Sequence, residues 1–239
     1  GYNSFYCMKY EISQLQYVEF LNSLTFAQQQ TRIATDPTSA AGTYVSFGSY
    51  AYRNGIVIET PGNNAAIPAV FGCDATNGVI NNVNDGQSGA MNNLSWADVA
   101  AYLDWSALRP MTELEFEKVC RGTMPRVAGE YPWGDTNINA FYSYTVLNAL
   151  QPTEVANAVV NGRCAYGVGT SSSLYGPLKV GVFATATSGR SSAGASYYGA
   201  MEMGGNVVER TVTVANASGV AFNGTLGDGT LTAIGNANQ

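Results

Sequence analysis

The strongest limit on the fold comes from residues 131–239, which contain no sustained helical stripe of apolar residues. Gly, Ser, Thr and Asn dominate this segment, and only short β-prone runs such as 180–183 interrupt them. Such a composition is typical of turns and short strands rather than of helices. We therefore expect irregular β structure in the C-terminal part and helices earlier in the chain.

Three segments before residue 131 carry the signal that begins a helix. Ser13, Ser95 and Thr112 each precede apolar residues with helical spacing. Gln16 and Glu115 lie three residues after Ser13 and Thr112, where their side chains can complete a capping box. We predict three helices that begin within about two residues of these caps.

The remaining β-prone pieces are short runs at 5–10, 44–47, 56–58 and 69–71. Helices early in the chain and irregular β structure late indicate an α+β fold. In this fold, three short helices are expected to pack on one small twisted sheet among extensive loops. Because no charged, Pro-rich or repetitive linker interrupts the sequence, we interpret residues 1–239 as a single domain.

The composition excludes several classes of function. The formal net charge is −6 and the basic residues are scattered, which argues against a nucleic-acid partner. No apolar run approaches the roughly 20 residues of a membrane span. Only 12% of the residues are charged, and neutral polar residues replace them, which suits a secreted or cell-surface protein. The chain contains no histidine, which excludes Ser-His-Asp and Cys-His catalysis and His-ligated zinc or iron.

The four cysteines do not form a CxxC motif, so zinc ribbons and thioredoxin-like sites are unsupported. An even number is compatible with two disulfides in any of three pairings, and equally with buried thiols. Cys120 favours the buried thiol, because it shares a helical apolar stripe with Phe116 and Val119. The pairing is left open for the set as a whole, which comprises Cys7, Cys73, Cys120 and Cys164.

Residues 74–78 and 84–86 form a further segment rich in side-chain oxygen. The segment lacks the bidentate Glu of a calcium-binding loop. Asn, Asp and Gly in this order are typical of turns, and we interpret both pieces as turns.

Three blocks of sequence together resemble the formylglycine-generating enzyme (sulfatase-modifying factor) family. The first is MKYEIS at 8–13, the second runs from LSWAD to YPWGD over 94–135, and the third is YGAMEMGGNVVE at 198–209. Their order and spacing make the match specific, and residues 25–92 are interpreted as an insertion between them. The resemblance implies a C-type-lectin-like variant of the α+β fold, in a secreted bacterial member of the family.

The resemblance also implies a calcium site. In the family, the equivalent turn binds Ca²⁺ through backbone carbonyls and one carboxylate, and Ca²⁺ favours six to eight oxygen ligands. A second family site would begin near Asn148 and Ala149, although no later acidic ligand is evident there. An ion pair between Glu209 and Arg210 is the alternative to the first site. The ligands carried over for that first site are the backbone carbonyls of Gly204, Gly205 and Val207 and the side chain of Glu209.

The sequence departs from the family where the family's chemistry would lie. Val208 and Arg210 stand at positions where the family has aromatic residues. The oxidase uses a thiol pair in a C-terminal block, which we expect to be missing from this chain, and none of the four cysteines falls in an equivalent place. We therefore expect no catalysis, and a binding, adhesive or assembly module that recognises a protein or glycan at the cell surface or assembles with itself. The 15 tyrosines, many outside the helical stripes, favour binding. The alternative is a sulfatase-activating oxidase whose last block lies outside this chain.

Overall fold

The computed structural model describes residues 3–47, 49–63, 66–139, 145–157, 160–166 and 175–238. Contacts within the chain divide it into two compact units. One, which we call the helical unit, comprises Ile12–Pro110, Leu150–Pro152 and Asn223–Gln239. The other, the loop unit, comprises Gly1–Glu11, Met111–Ala149 and Thr153–Phe222. Each unit is built from stretches that are separate in sequence.

Three capped helices organise the helical unit. They are α1 (Gln14–Ser23), α2 (Phe26–Arg32) and α3 (Trp96–Trp105). The caps Ser13, Thr25 and Ser95 each accept a hydrogen bond from the backbone N–H three residues later, and that residue's side chain accepts one from the cap N–H in return. These reciprocal bonds satisfy donors that a helix start leaves unpaired. The starts predicted at Ser13 and Ser95 are confirmed, whereas α2 was missed although its cap carries the same signal.

A short hairpin supplies the strands of the helical unit. β1 (Ile56–Thr60) and β2 (Val70–Cys73) pair antiparallel, with Ile58 opposite Phe71. α1 packs against β2. The Asn22 side chain accepts a hydrogen bond from the Phe71 N–H at 2.8 Å and donates one to the Phe71 carbonyl at 3.1 Å. A helix side chain therefore satisfies this edge of β2, where a third strand would otherwise pair.

An aromatic cluster joins α1 to α3. The Tyr102 ring lies 6.3 Å from Tyr17 and 5.7 Å from Phe20, centroid to centroid. The Trp105 ring lies 5.4 Å from that of Phe20, again centroid to centroid. Phe20 is fully buried, and Tyr17 and Tyr102 are nearly so. Burying an apolar side chain of this size contributes about 1.5–3 kcal/mol, so this cluster is a main source of the unit's stability.

The loop unit has little regular structure. It contains α4 (Glu113–Arg121), the single-turn α5 (Ala217–Val220) and the strand pair β3 (Val146–Leu147) and β4 (Val155–Ala156). Thr112 caps α4 through a capping box with Glu115, which confirms the third predicted start. Turns around small apolar clusters make up most of the rest. Trp133 is 3% exposed and stacks on Tyr131.

The predicted strand at 5–10 is wrong, and the β-prone run at 180–183 forms no strand either. No described segment pairs along residues 5–10, where the Lys9 carbonyl accepts a hydrogen bond from the Met201 N–H. Residues 180–183 form turns, in which Gly181 has φ of +70°. At 44–47, pairing is confined to an isolated bridge at Tyr44. The runs at 56–58 and 69–71 do correspond to β1 and β2.

The expectation of one sheet beneath three helices is also wrong. The described strands form two separate two-stranded sheets, and α4 belongs to a different unit from α1 and α3. The observed structure is a mixed α and β fold with short helices and small sheets. Among the described residues, none of the helices combines the length and apolar character needed to cross a bilayer.

Candidate functional site

The turn at residues 204–209 lies in the loop unit beside two carboxylates that the sequence analysis did not single out. Glu11 and Glu202 are close enough to each other, and to Glu209, for their charges to affect one another's pKa. Within the described part of the chain, no group of three or more His, Cys, Asp or Glu side chains has the arrangement of a metal site. A cation at this turn would therefore need backbone oxygens in addition to carboxylates.

The backbone of the turn depends on its two glycines and on Asn206. Gly205 has φ of +152° and Asn206 has φ of +63°, values that favour glycine and asparagine. A Cβ on Gly204 would lie 3.0 Å from Pro132 Cγ, and one on Gly205 would lie 3.2 Å from Cys164 Cβ. Larger residues would therefore crowd the turn at both glycine positions.

Glu11 holds the turn through hydrogen bonds to two of its residues. Its Oε1 accepts a hydrogen bond from the Val207 N–H at 3.1 Å, and its Oε2 accepts one from Asn206 Nδ2 at 2.6 Å. The Asn206 Oδ1 in turn accepts a bond from the Leu178 N–H at 2.7 Å. Three segments that are distant in sequence therefore meet at Asn206. The sequence signal for Glu11 was its place in the first family block, which does not reveal this contact.

Glu202 lies two residues before the turn and is 5% exposed. Its backbone has φ of +54°, and its Oε2 accepts a hydrogen bond from the Gly181 N–H at 3.0 Å. Its Oε1 is buried and has no hydrogen-bond partner among the described residues. Glu202 therefore places an unsatisfied carboxylate oxygen inside the loop unit.

Glu209, the carboxylate of the predicted calcium set, also has a buried Oε1 without a hydrogen-bond partner among the described residues. Within the same part of the chain, no salt bridge joins Glu209 to Arg210, which was the alternative reading of this position. The neighbouring Val208 is 81% exposed. Glu209 is therefore turned inward while the residue beside it faces solvent.

Burial raises the pKa of all three carboxylates. Burial and then the charge of Glu202 raise the pKa of Glu11. Burial raises the pKa of Glu202. For Glu209, burial raises the pKa to about 7, and the charge of Glu202 adds to the rise. Ionising these groups without a cation is unfavourable, because like charges repel and burial removes their hydration. The unpaired oxygens of Glu202 and Glu209 fit a hard cation such as Ca²⁺.

The second expected calcium position lies elsewhere in the loop unit. Asn148 and Ala149 are exposed and follow β3. Asn148 has φ of +54°, and its Nδ2 donates a hydrogen bond to the Thr153 carbonyl at 3.4 Å. These contacts are explained by a turn between β3 and β4, and they add no acidic ligand.

All four cysteines lie among the described residues, and each is a thiol rather than part of a disulfide. Burial raises the pKa of Cys73 and of Cys120 to about 12, and that of Cys164 to about 11. Burial also raises the pKa of Cys7. A reactive cysteine needs the opposite, a pKa lowered by nearby positive charge or a helix N-terminus.

Two exposed aromatic residues precede the turn. The rings of Tyr197 and Tyr198 meet edge to face at 4.9 Å, and Tyr198 is 59% exposed. The Arg190 guanidinium lies 5.4 Å from the Tyr197 ring centroid and donates hydrogen bonds to the carbonyls of Cys120 and Pro132. The pair is therefore held in a defined orientation on the loop unit.

A comparison with known protein families matches a range of the chain that includes this turn. The family model for the sulfatase-modifying factor enzyme 1-like domain matches residues 2–223. No curated protein and no solved structure shows a significant match. The matched range covers all three sequence blocks, the four cysteines and the turn at 204–209. The chain belongs to the family of sulfatase-modifying factor enzyme 1-like domains.

Proposed function

We propose that this chain is a non-catalytic binding module of its family, secreted or displayed at the cell surface, on a C-type-lectin-like scaffold. The observation that carries the proposal is the raised pKa of the four cysteine thiols. Burial raises the pKa of every cysteine, and none has the lowered value that a thiol oxidase needs. Family membership supports the proposed scaffold and leaves the activity open, since one fold serves many functions.

The proposed scaffold carries a structural calcium ion at the 204–209 turn. Its ligands are the backbone carbonyls of Gly204, Gly205 and Val207 together with Glu209. The support is the buried, unpaired Oε1 of Glu209 and the raised pKa of its carboxyl, since both make a nearby cation favourable. Calcium would neutralise the buried charge and fix the turn, and it has no catalytic part in this proposal.

The proposed binding surface contains Tyr197 and Tyr198. Tyrosine supplies a large, rigid and amphipathic contact area at low entropic cost, for a protein or a glycan ligand. Tyr197 is held by Arg190 and by a hydrogen bond from its N–H to the Cys120 carbonyl at 3.0 Å, so its orientation exists before binding. A fixed orientation lowers the cost of ordering on binding.

A glycan microarray tests this proposal. We expect the wild-type protein to retain a defined set of glycans, and we expect Tyr198→Ala to lose that signal at least about tenfold, the equivalent of about 1.4 kcal/mol. Tyr6→Ala is the matched control, because Tyr6 is 97% exposed and lies outside the pair. Equal retention by the two variants would reject the surface, and a wild-type protein that binds no glycan would reject the glycan as ligand in favour of a protein.

A further inference from the structure

The loop that follows β2 in the helical unit, residues 74–87, is organised around a fully buried carboxylate. Asp85 is 0% exposed. Its Oδ1 accepts hydrogen bonds from the Thr76 N–H at 3.2 Å and from Thr76 Oγ1 at 2.7 Å. Its Oδ2 accepts one from the Asn82 N–H at 2.9 Å. The turns predicted here are confirmed, and Asp85 ties them into one compact loop.

A second carboxylate in this loop is buried without a partner. Asp74 is 8% exposed, and its Oδ1 is buried and accepts no hydrogen bond from any described residue. Its backbone N–H donates to the Gly55 carbonyl at 2.8 Å, which fixes the start of the loop. Burial and then the charge of Asp85 raise the pKa of Asp74, so the two carboxyl groups are neighbours. Among the described residues, neither carboxylate forms an ion pair with Lys or Arg.

A third side-chain oxygen in the loop, the Oε1 of Gln87, is also buried without a hydrogen-bond partner among the described residues. The Gln87 Nε2 donates to the Asn82 carbonyl at 2.6 Å. Exchanging the two amide atoms would place the oxygen against that carbonyl, so amide orientation does not explain the unpaired oxygen. Asn82 connects Gln87 to Asp85, because its N–H is one of the Asp85 donors.

We propose that the 74–87 loop binds a calcium ion, with Asp74 and Asp85 as its carboxylate ligands and Gln87 as an amide ligand. Native structures rarely leave buried oxygens unpaired, and a bound ion is one of the recognised explanations for such an oxygen. Two neighbouring carboxylates repel each other unless a cation lies between them. Carboxylate, amide and carbonyl oxygens are the ligands that calcium prefers.

The site is distinct from the calcium site implied by family resemblance. Residues 74–87 lie in the segment interpreted as an insertion, outside the three blocks that carry the resemblance. The loop belongs to the helical unit and the 204–209 turn to the loop unit. It contains two acidic side chains, so neutral oxygens must complete its coordination. The inference is independent of the proposed function.

Calcium titration of the Glu209→Gln protein tests the 74–87 loop alone, because that substitution removes the carboxylate of the proposed site at the 204–209 turn. We expect the Glu209→Gln protein to bind Ca²⁺ in isothermal titration calorimetry. Adding Asp74→Asn should weaken the binding about tenfold or more, because a charged ligand becomes neutral. Asp36→Asn is the matched control, an exposed Asp in the same unit. Equal calcium affinity in the Asp74→Asn and Asp36→Asn proteins would overturn the proposal, as would absence of binding before either change.

Terbium luminescence locates the bound ion. The Tyr44 hydroxyl donates to the Asp74 carbonyl at 3.0 Å, so Tyr44 is placed to sensitise Tb³⁺ in this loop. In the Glu209→Gln protein, we expect tyrosine-sensitised Tb³⁺ emission that Ca²⁺ displaces and that Tyr44→Phe reduces. Emission unaffected by Tyr44→Phe would place the ion elsewhere and overturn the assignment. If Asp74→Asn fails to fold, as judged by circular dichroism, Gln87→Ala replaces it and is expected to weaken calcium binding in the same direction.

Discussion

Replacing Glu209 by Gln is expected to have opposite effects on stability with and without calcium. Without calcium, burial raises the pKa of Glu209 from its ordinary value of 4.5 to about 7. The folded state therefore holds a proton that the unfolded state releases, and ionising Glu209 costs stability. The cost is absent below pH 4.5, grows as the pH rises to about 7 and is constant above that. Each pH unit in this window contributes about 1.4 kcal/mol, so the full cost is about 3 kcal/mol.

Glu209→Gln removes this titration. In a chelator at pH 8, we expect the variant to be more stable than wild type by up to about 3 kcal/mol, and at pH 4 we expect the two to be equal. With calcium at about 1,000 times its Kd, the order reverses. Calcium at that concentration stabilises the wild-type protein by about 4.1 kcal/mol at the 204–209 turn, a gain that the variant loses because it lacks the charged ligand.

Denaturant unfolding measured from pH 4 to 8, with chelator and with excess calcium, checks both effects. Glu19→Gln is the control, because Glu19 is exposed and lies on α1 in the other unit. It should follow the wild-type profile under every condition. A Glu209→Gln protein whose pH profile matches wild type in chelator would refute the argument from burial. An unchanged calcium gain in that variant would refute its role as a ligand.

Two further changes test the fold and the thiols. Gln29→Leu should destabilise the helical unit by about 3 kcal/mol in chemical denaturation, because the buried Gln29 side chain makes three hydrogen bonds, to the Leu21 carbonyl and to the Ala69 carbonyl and N–H. Gln30→Leu, exposed on the same helix, should change stability little, and equal losses in the two variants would contradict the assignment. The native thiols should react slowly with iodoacetamide at pH 7.5, and Cys7 should react first because it is the least buried. When the protein is incubated with a sulfatase-type cysteine peptide, with or without copper, mass spectrometry should find no formylglycine in the peptide. Conversion that is lost on mutating one of the four cysteines would overturn the non-catalytic proposal.

Local signals in the sequence were sufficient for the helix starts. Ser13, Ser95 and Thr112 were predicted as caps, and each completes a capping box in the structure. A cap depends on atoms within about one helical turn, so its physics is contained in a few consecutive residues. The helix at Phe26–Arg32 carries the same signal at Thr25 and was missed only because its segment was interpreted as an insertion of short β-prone pieces.

Strands were harder to predict because a strand needs a partner. The runs at 5–10 and 180–183 have suitable residues, yet the first has no pairing segment and the second turns at Gly181. β propensity measures how a side chain fits a pleated, half-buried surface, and that surface exists only after the chain has folded. The division into two units built of separate stretches likewise has no local signal.

The candidate site shows the same limit. The Gly-Gly-Asn turn and the carboxylate of Glu209 could be named from the sequence, because the family pattern and the backbone freedom of glycine are both local properties. The tertiary structure alone decided that Glu11 hydrogen-bonds Asn206 and that Glu202 and Asp74 hold unpaired buried oxygens. Burial and the distance between charges determine whether a carboxylate is a solvated surface group or a group that favours binding a cation. Both properties are set by residues far apart in the chain.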